Sequence, residues 1–329
     1  MTSNWDLLGH EWAVDMLKQH IAGETVRHAY LFSGPPGLGR RTLALRFARA
    51  LNCTQPPAPG ASCGVCRDCK QIENMGHPDL SVVQAETDGG TLKVDQVREV
   101  RRSLTLKPYQ ARYRVALFLR FQESSEGAAN ALLKTLEEAP AHAILILTAD
   151  NPEQLLPTIT SRCEILRLRP LPVESIESHL KAHDADADAA RLIAHVSNGR
   201  PGYALRLLVD ESALEFRAER LAELGEMLSS TRVQKFKYAE SLAKDKERMR
   251  QTLLVWLSYW RDVLLRASGA ATPIANIDQD ESISSLAESL ALEGARHVTR
   301  DMESALERLE RNVNPRLLAE VLLLDLPVT

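Results

Sequence analysis

Apolar residues recur at helical spacing through Leu7, Leu8, Trp12, Ala13, Met16, Leu17 and Ile21. That spacing predicts a helix over about 5–22 with one buried face. The pattern then changes. Ala29-Tyr30-Leu31-Phe32 is a short unbroken apolar run of strand type, and it leads directly into Gly34-Pro35-Pro36-Gly37-Leu38-Gly39. Helical periodicity resumes at Leu43, Leu45, Phe47, Ala48 and Leu51. The unit reads as strand, glycine-rich loop, helix. Periodicity is lost between Asn52 and Pro78, where Pro56, Pro57, Pro59 and Gly60 argue against regular structure. This stretch is predicted to be an insertion.

Four more apolar runs follow: Leu80–Val83, Val115–Leu119, Ile144–Leu147 and Ile165–Leu168. Helices are predicted between them over about 95–104, with Asp95 as N-cap, and 128–138. In the second, Leu132, Leu133 and Leu136 face the core and Lys134 is placed to pair with Glu138. Apolar runs without alternation predict strands buried on both faces, as in a doubly wound α/β domain with a parallel sheet. At Arg169-Pro170-Leu171-Pro172 the character changes. Beyond this boundary no strand is predicted. Short helices are expected around 176–183, 189–196 and 203–208. A longer helical block covers 211–329, with amphipathic stretches at Leu253–Leu264 and Val298–Leu309 and a last helix from Asn314-Pro315.

Length and composition narrow the class. A chain of 329 residues has room for two or three domains. Its 40 basic and 44 acidic residues give a net charge of −4, and 44% apolar content is that of a folded protein. Mild acidity argues against strong autonomous nucleic-acid binding. No apolar run approaches the roughly 18 residues of a membrane span. The start, Met1 to Asp6, lacks a leader pattern. A cytoplasmic protein without membrane contact is expected.

The glycine loop nearly matches the phosphate-binding pattern G-x-x-x-x-G-K-[ST], in which backbone N–H groups cradle phosphate, Lys reaches the outer phosphates and a hydroxyl holds Mg²⁺. Gly34, Gly37 and Gly39 keep the loop, but Arg40 and Arg41 follow, with Thr42 one place late. Arg40 keeps a charge in a bulkier fork, and Arg41 would repel a metal cation. The strand Val115–Leu119 is followed by Arg120-Phe121-Gln122, not by an acidic pair. Both halves of an ATPase centre are degraded. A structural remnant or weak anion binding without turnover is expected, and ATP binding is doubtful.

Four of the five cysteines lie in the insertion as Cys53-x₉-Cys63-x₂-Cys66-x₂-Cys69. Short spacings in a chain without a leader favour a structural, tetrahedral Zn²⁺ site over disulfides. Disulfides, or His77 replacing one thiolate, are the competing readings.

The run Asn130-Ala131-Leu132-Leu133-Lys134-Thr135-Leu136-Glu137-Glu138, followed by Thr160-Ser161-Arg162-Cys163, resembles the bacterial DNA polymerase III clamp-loader group of AAA+ proteins. The order of P-loop, cysteine insertion and Val94-Asp95-Gln96-Val97-Arg98 agrees. The resemblance is dense over about 5–205 and weaker beyond, where Asn314-Pro315-Arg316 contributes. It implies an AAA+ core over 1–169 with a zinc-binding insertion at about 52–79, a small helical lid over 170–208, and an all-α collar over 209–329. It also implies partners: the gamma/tau and delta subunits, and through them the sliding clamp and primer-template DNA.

The family's ATP-hydrolysing gamma/tau members keep an intact P-loop and acidic pair. Losses at Arg40, Arg41 and Arg120 favour a non-hydrolysing, stator-type member. Gly202 falls where gamma/tau chains carry a sensor arginine, and Arg200 could substitute only with a different local backbone. In the family, the arginine of Ser161-Arg162-Cys163 projects toward ATP held by a neighbour. A guanidinium there offers two parallel donors and a permanent charge to the developing γ-phosphate. An ordinary surface arginine is the bland alternative. Lys93, Arg98, Arg101, Arg102 and Lys107 form a basic cluster that in the family tracks template phosphates, or else a solvated face balanced by Asp95 and Glu99. Competing functions are an active ATPase using Arg40 and Thr42, a P-loop transferase, and a zinc-dependent DNA-binding module.

Overall fold

The computed structural model describes residues 5–87, 90–311 and 313–327; Met1–Asn4, part of the start without a leader pattern, lie outside them. The chain divides into two compact units, the first holding 1–172 and 199–203, the second 173–198 and 204–329.

The first unit runs α1 (Glu11–Ala22), β1 (Ala29–Ser33), α2 (Arg40–Asn52), α3 (Arg67–Glu73), β2 (Leu80–Val83), α4 (Val94–Leu104), β3 (Arg114–Phe118), α5 (Glu126–Glu137), β4 (Ala143–Ala149), α6 (Pro157–Thr160) and β5 (Glu164–Arg167). Its five strands form one parallel sheet in the order β2-β3-β4-β1-β5. One face packs Tyr30, Phe32, Leu117 and Ile146 against α1 and α2; the other packs Leu31, Phe118, Leu145 and Leu147 against α4 and α5. Every residue of β1 and β4 is buried. Helices on both faces are why these strands read as continuous apolar runs.

Four local expectations change. The first helix begins at Glu11, because Gly9 (φ 73) and His10 (φ 60) turn the chain before it. Trp5 is buried instead in a turn, stacked on Phe47, with its indole N–H donating to Gly60 O at 3.0 Å. The insertion is not wholly irregular: it contains α3, whose N-cap thiol, Cys66, accepts from the Cys69 N–H. The N-cap before α4 is Lys93, not Asp95, and the Gln96 side chain accepts from the Lys93 N–H at 2.9 Å. Among the described residues Lys134 forms no ion pair with Glu138.

Asp79 is the polar centre of the insertion's far end. Fully buried, it accepts N–H bonds from Tyr109, Gln110 and Ala111 at 2.7, 2.9 and 3.0 Å, and pairs with Arg114 at 3.1 Å. Burial alone would push its carboxyl up; the three N–H groups and the guanidinium outweigh it and hold the carboxyl below its ordinary value of 3.8. Asp79→Ala should therefore cost about 3–5 kcal/mol in urea unfolding, since a buried guanidinium loses its partner. A depressed native pKa also means that the contribution is complete above the unfolded value. It fades as pH falls through the lower native value. The difference between wild type and Asp79→Ala should shrink in acid below about pH 4.

Among its described residues the second unit contains helices only: α7 (Val173–Lys181), α8 (Ala187–Val196), most of α9 (Pro201–Val209), α10 (Glu211–Ser229), α11 (Arg232–Leu242), α12 (Lys246–Ala267), α13 (Asp280–Glu310, broken at Ala291) and α14 (Pro315–Asp325). Trp256 and Trp260 on α12 are fully buried in one apolar cluster with Val298 and Met302 of α13 and Leu322 of α14. The Trp256 indole N–H donates to Arg220 O at 2.7 Å. These rings are bundle packing, as one apolar face per helix predicts. No described helix is long and apolar enough to cross a membrane.

Candidate functional site: a tied phosphate loop, a distant arginine and a four-thiol cluster

Parallel strands place the glycine loop at the carboxyl end of β1, where the N-terminus of α2 faces any bound anion. Gly34, Gly37 and Gly39 all have positive φ (142°, 89° and 91°), the conformations that a phosphate cradle needs. The protein's own contacts tie this loop at its first glycine and at Leu38. Gly34 N–H is shared between the carbonyls of Ala149 and Asp150 at 3.2 and 3.1 Å. His10, buried, bonds the Leu38 carbonyl through Nε2 at 3.0 Å, and burial pushes its imidazole below the ordinary value. Such a neutral ring is fixed as a donor.

Arg40 stands where a P-loop lysine would. It is only 8% exposed and forms an ion pair with Asp150, just after β4, at 2.7 Å. The cation at the lysine position therefore faces a carboxylate of its own chain. Arg41 and Thr42 are exposed, and Arg41 Nη2 donates to Met75 Sδ in the insertion at 3.0 Å. After β3, Leu119 is buried in the core and Arg120 pairs with Glu123 at 3.2 Å. Gly202 lies directly on the loop: its N–H donates to Gly37 O at 2.8 Å, and a Cβ added there would lie 3.0 Å from that oxygen. No longer side chain fits at Gly202 without moving this seam.

Arg162 lies elsewhere. Register pairs Glu164 with Tyr30 and Arg167 with Ser33, so the chain enters β5 at the amino end of β1. Arg162 precedes Glu164 by two residues, and Gly34 follows Ser33. At ~3.3 Å per strand residue, roughly 10 Å or more of sheet separates them. Arg162 cannot serve its own loop. Its Nη1 donates to Thr158 O and its Nη2 to Glu137 Oε1, both at 2.8 Å, with the side chain 36% exposed. Ser161 Oγ donates to the same Thr158 carbonyl at 3.3 Å. Cys163 packs against the core beneath α4 and α5, and burial pushes its thiol up to about 12. It anchors the turn and is not a nucleophile.

The insertion gathers Cys53, Cys63, Cys66 and Cys69, with all four Sγ atoms within 4.8 Å of one another. Neighbouring sulfurs lie 3.6 Å apart (Cys53 and Cys63) and 3.9 Å apart (Cys63 and Cys69). A tetrahedron with metal–sulfur bonds near 2.3 Å has edges of about 3.8 Å, so the set fits one ion. Backbone N–H groups of Cys63, Cys66 and Cys69 donate to the sulfurs of Cys53, Cys63 and Cys66 at 3.3, 3.3 and 3.4 Å. Burial opposes thiolate at Cys66, yet the Cys69 N–H and the Thr54 contacts bring its thiol down to about 6. Burial pushes the Cys53 and Cys69 thiols up instead, while N–H donors of this kind stabilise sulfur carrying negative charge, the form that ligates. His77 is not part of the set. It is buried, meets Asp68 Oδ1 at 3.2 Å through Nε2, and accepts the Asp79 N–H at 3.0 Å through Nδ1.

The basic cluster divides. Lys93 pairs with Glu86 and Arg98 with Asp95. No ion pair is described for Arg101, Arg102 or Lys107. His10, Asp79, Glu137 and Asp150 escaped sequence reasoning. Their partners lie 25–110 positions away, and no local pattern marks such pairs.

Residues 9–172 match the family model described as "DNA polymerase III, delta subunit", and 211–327 match "DNA polymerase III, delta subunit, C terminal". The chain is similar to DNA polymerase III subunit delta' of Bacillus subtilis (strain 168), 30% identical over 94% of both chains. It is 28% identical to DNA polymerase III subunit tau of the same organism, over 96% of this chain and 60% of that one. Subunit delta' of Pseudomonas aeruginosa is 38% identical over 55% of each. A solved gamma subunit-related protein of Thermotoga maritima covers 94% of this chain and 97% of its own at a TM-score of 0.43 and 16% identity.

Proposed function

Because the chain belongs to the clamp-loader subunits of DNA polymerase III, the group of delta', gamma and tau chains, we propose that it is the non-hydrolysing, stator-type member. In this reading it turns over no ATP itself and completes a neighbour's ATP site through Arg162, with Ser161 and Cys163 holding the turn. The observation that carries the reading is the Arg40–Asp150 ion pair, which sets a carboxylate against the cation that a γ-phosphate would need. The Gly202–Gly37 seam and the absence of acid at Leu119 and Arg120 agree with it. The distance of Arg162 from its own loop and its partial exposure support an outward role.

The division follows as an AAA+ core over 1–169, a helical lid over 170–208 and a collar over 209–329. Partners are gamma/tau and delta subunits, and through the assembly the sliding clamp and primed DNA in the cytoplasm. Arg101, Arg102 and Lys107 are the cations left to meet template phosphate. The metal is Zn²⁺, held by Cys53, Cys63, Cys66 and Cys69. A closed four-thiolate site leaves no position for water, so its role is structural.

The test mixes the purified chain with gamma/tau-type and delta-type subunits. The chain alone should release no phosphate from ATP above background. The mixture should form one complex with DNA-stimulated ATPase. Steady turnover by the isolated chain would overturn the stator reading in favour of an active ATPase using Arg40 and Thr42.

A further inference from the structure

We infer that Glu137 is a positioning residue that latches Arg162 away from a neighbour's nucleotide until the assembly engages. This rests on the in-trans reading of Arg162. Glu137 ends α5, 25 positions before Arg162, and the fold brings both to the amino edge of the sheet. There the carboxylate takes Nη2 of the guanidinium through one oxygen at 2.8 Å, while Thr158 O takes Nη1 at 2.8 Å. Two of the five N–H donors are engaged, one by a full negative charge.

A phosphoryl group approaching this guanidinium meets a cation already neutralised by Glu137, and it is itself repelled by that carboxylate. Engagement therefore exchanges one anion for another. The exchange is easy because the pair is exposed: 36% for Arg162 and 50% for Glu137. Ion pairs this exposed are weak, which limits the hold to about fivefold. The Thr158 carbonyl carries no net charge and does not compete in the same way. It keeps the side chain aimed when Glu137 lets go.

The experiment uses the assembled complex with Glu137→Gln and, separately, Glu137→Ala. ATP turnover is measured without DNA and with saturating primed DNA, together with the affinity for ADP and aluminium fluoride as a transition-state mimic. Both variants should raise the DNA-free rate about two- to fivefold and tighten the mimic by a similar factor. The DNA-stimulated rate should stay unchanged, so the stimulation ratio falls. The double variant Glu137→Gln, Arg162→Ala should behave as Arg162→Ala alone. A DNA-free rate that is unchanged, or that drops toward the Arg162→Ala level, would overturn the latch. Full ATPase in the Arg162→Ala complex would instead sink the in-trans reading, and the latch with it.

Discussion

Arg162→Ala should slow ATP turnover at the site it completes by about 10³- to 10⁵-fold while the complex assembles normally. The size follows from where the charge lies. As the γ-phosphoryl group leaves, negative charge spreads over its equatorial oxygens, and a guanidinium meets two of them with parallel donors. Each tenfold loss is about 1.4 kcal/mol of transition-state stabilisation, so the loss is about 4–7 kcal/mol. Among the described residues the Arg162 side chain bonds only half-exposed Glu137 and the Thr158 carbonyl. Its removal should change folding stability by less than about 1 kcal/mol. Catalysis and stability thus separate cleanly in this one variant. Total ATPase should fall by the share that the completed site contributes. Arg162→Lys should recover little, because an ammonium is a point charge without the fork. A complex of verified subunit content and undiminished ATPase would refute the role.

The outcome depends on a geometry that the sequence showed only in part. The five strands were legible because both faces of each are covered, and residues such as Leu117 and Phe118 point to opposite cores. Their order was not. Nothing local says that β4 inserts between β1 and β3. Yet that order sets Asp150 beside Arg40, and with it the state of the phosphate loop. The degraded loop was visible as residue types; its neutralisation was not, because the two partners are 110 positions apart. Arg162 was visible only through its motif, and its distance from its own loop emerges from the β1–β5 register. The seven-residue α3 was missed because the prolines before it suggested irregular chain. Its start is capped by a cysteine sulfur, a role that propensity does not anticipate. The pairing of Lys134 with Glu138 failed for the opposite reason: local spacing allowed it, but α5 ends at Glu137 and Glu138 leaves the helix (φ −128°, ψ 46°).

Removing the metal should unfold the insertion and leave the sheet standing. Residues 53–66 contain no helix or strand, and Thr54–Pro59 are exposed, so little apolar burial opposes their disorder. What ties them is the four-sulfur cluster, with help from Trp5 on Gly60 and Arg49 Nε on Ser62 Oγ at 2.9 Å. Structural zinc in small peptides is bound with about 10–16 kcal/mol, far more than one neutral and one charge-assisted hydrogen bond contribute. The purified chain should hold one zinc per molecule. Cys63→Ser, or exhaustive chelation, should release it and sharply increase amide exchange over 53–70. Exchange in β1 and β4, buried in cores to which none of the four cysteines belongs, should stay slow. Asp68 couples the two regions, because its carboxylate lies one position before Cys69 and accepts from Gln110 Nε2 at 3.1 Å. Exchange at Tyr109–Ala111 should therefore rise less, since Asp79 still holds those N–H groups. Cys163→Ser is the matched control: Cys163 lies outside the cluster and should change neither metal content nor exchange in the insertion. A chain that carries no metal as purified, and whose insertion stays protected in chelator, would remove the zinc assignment and leave side-chain packing to explain the cluster.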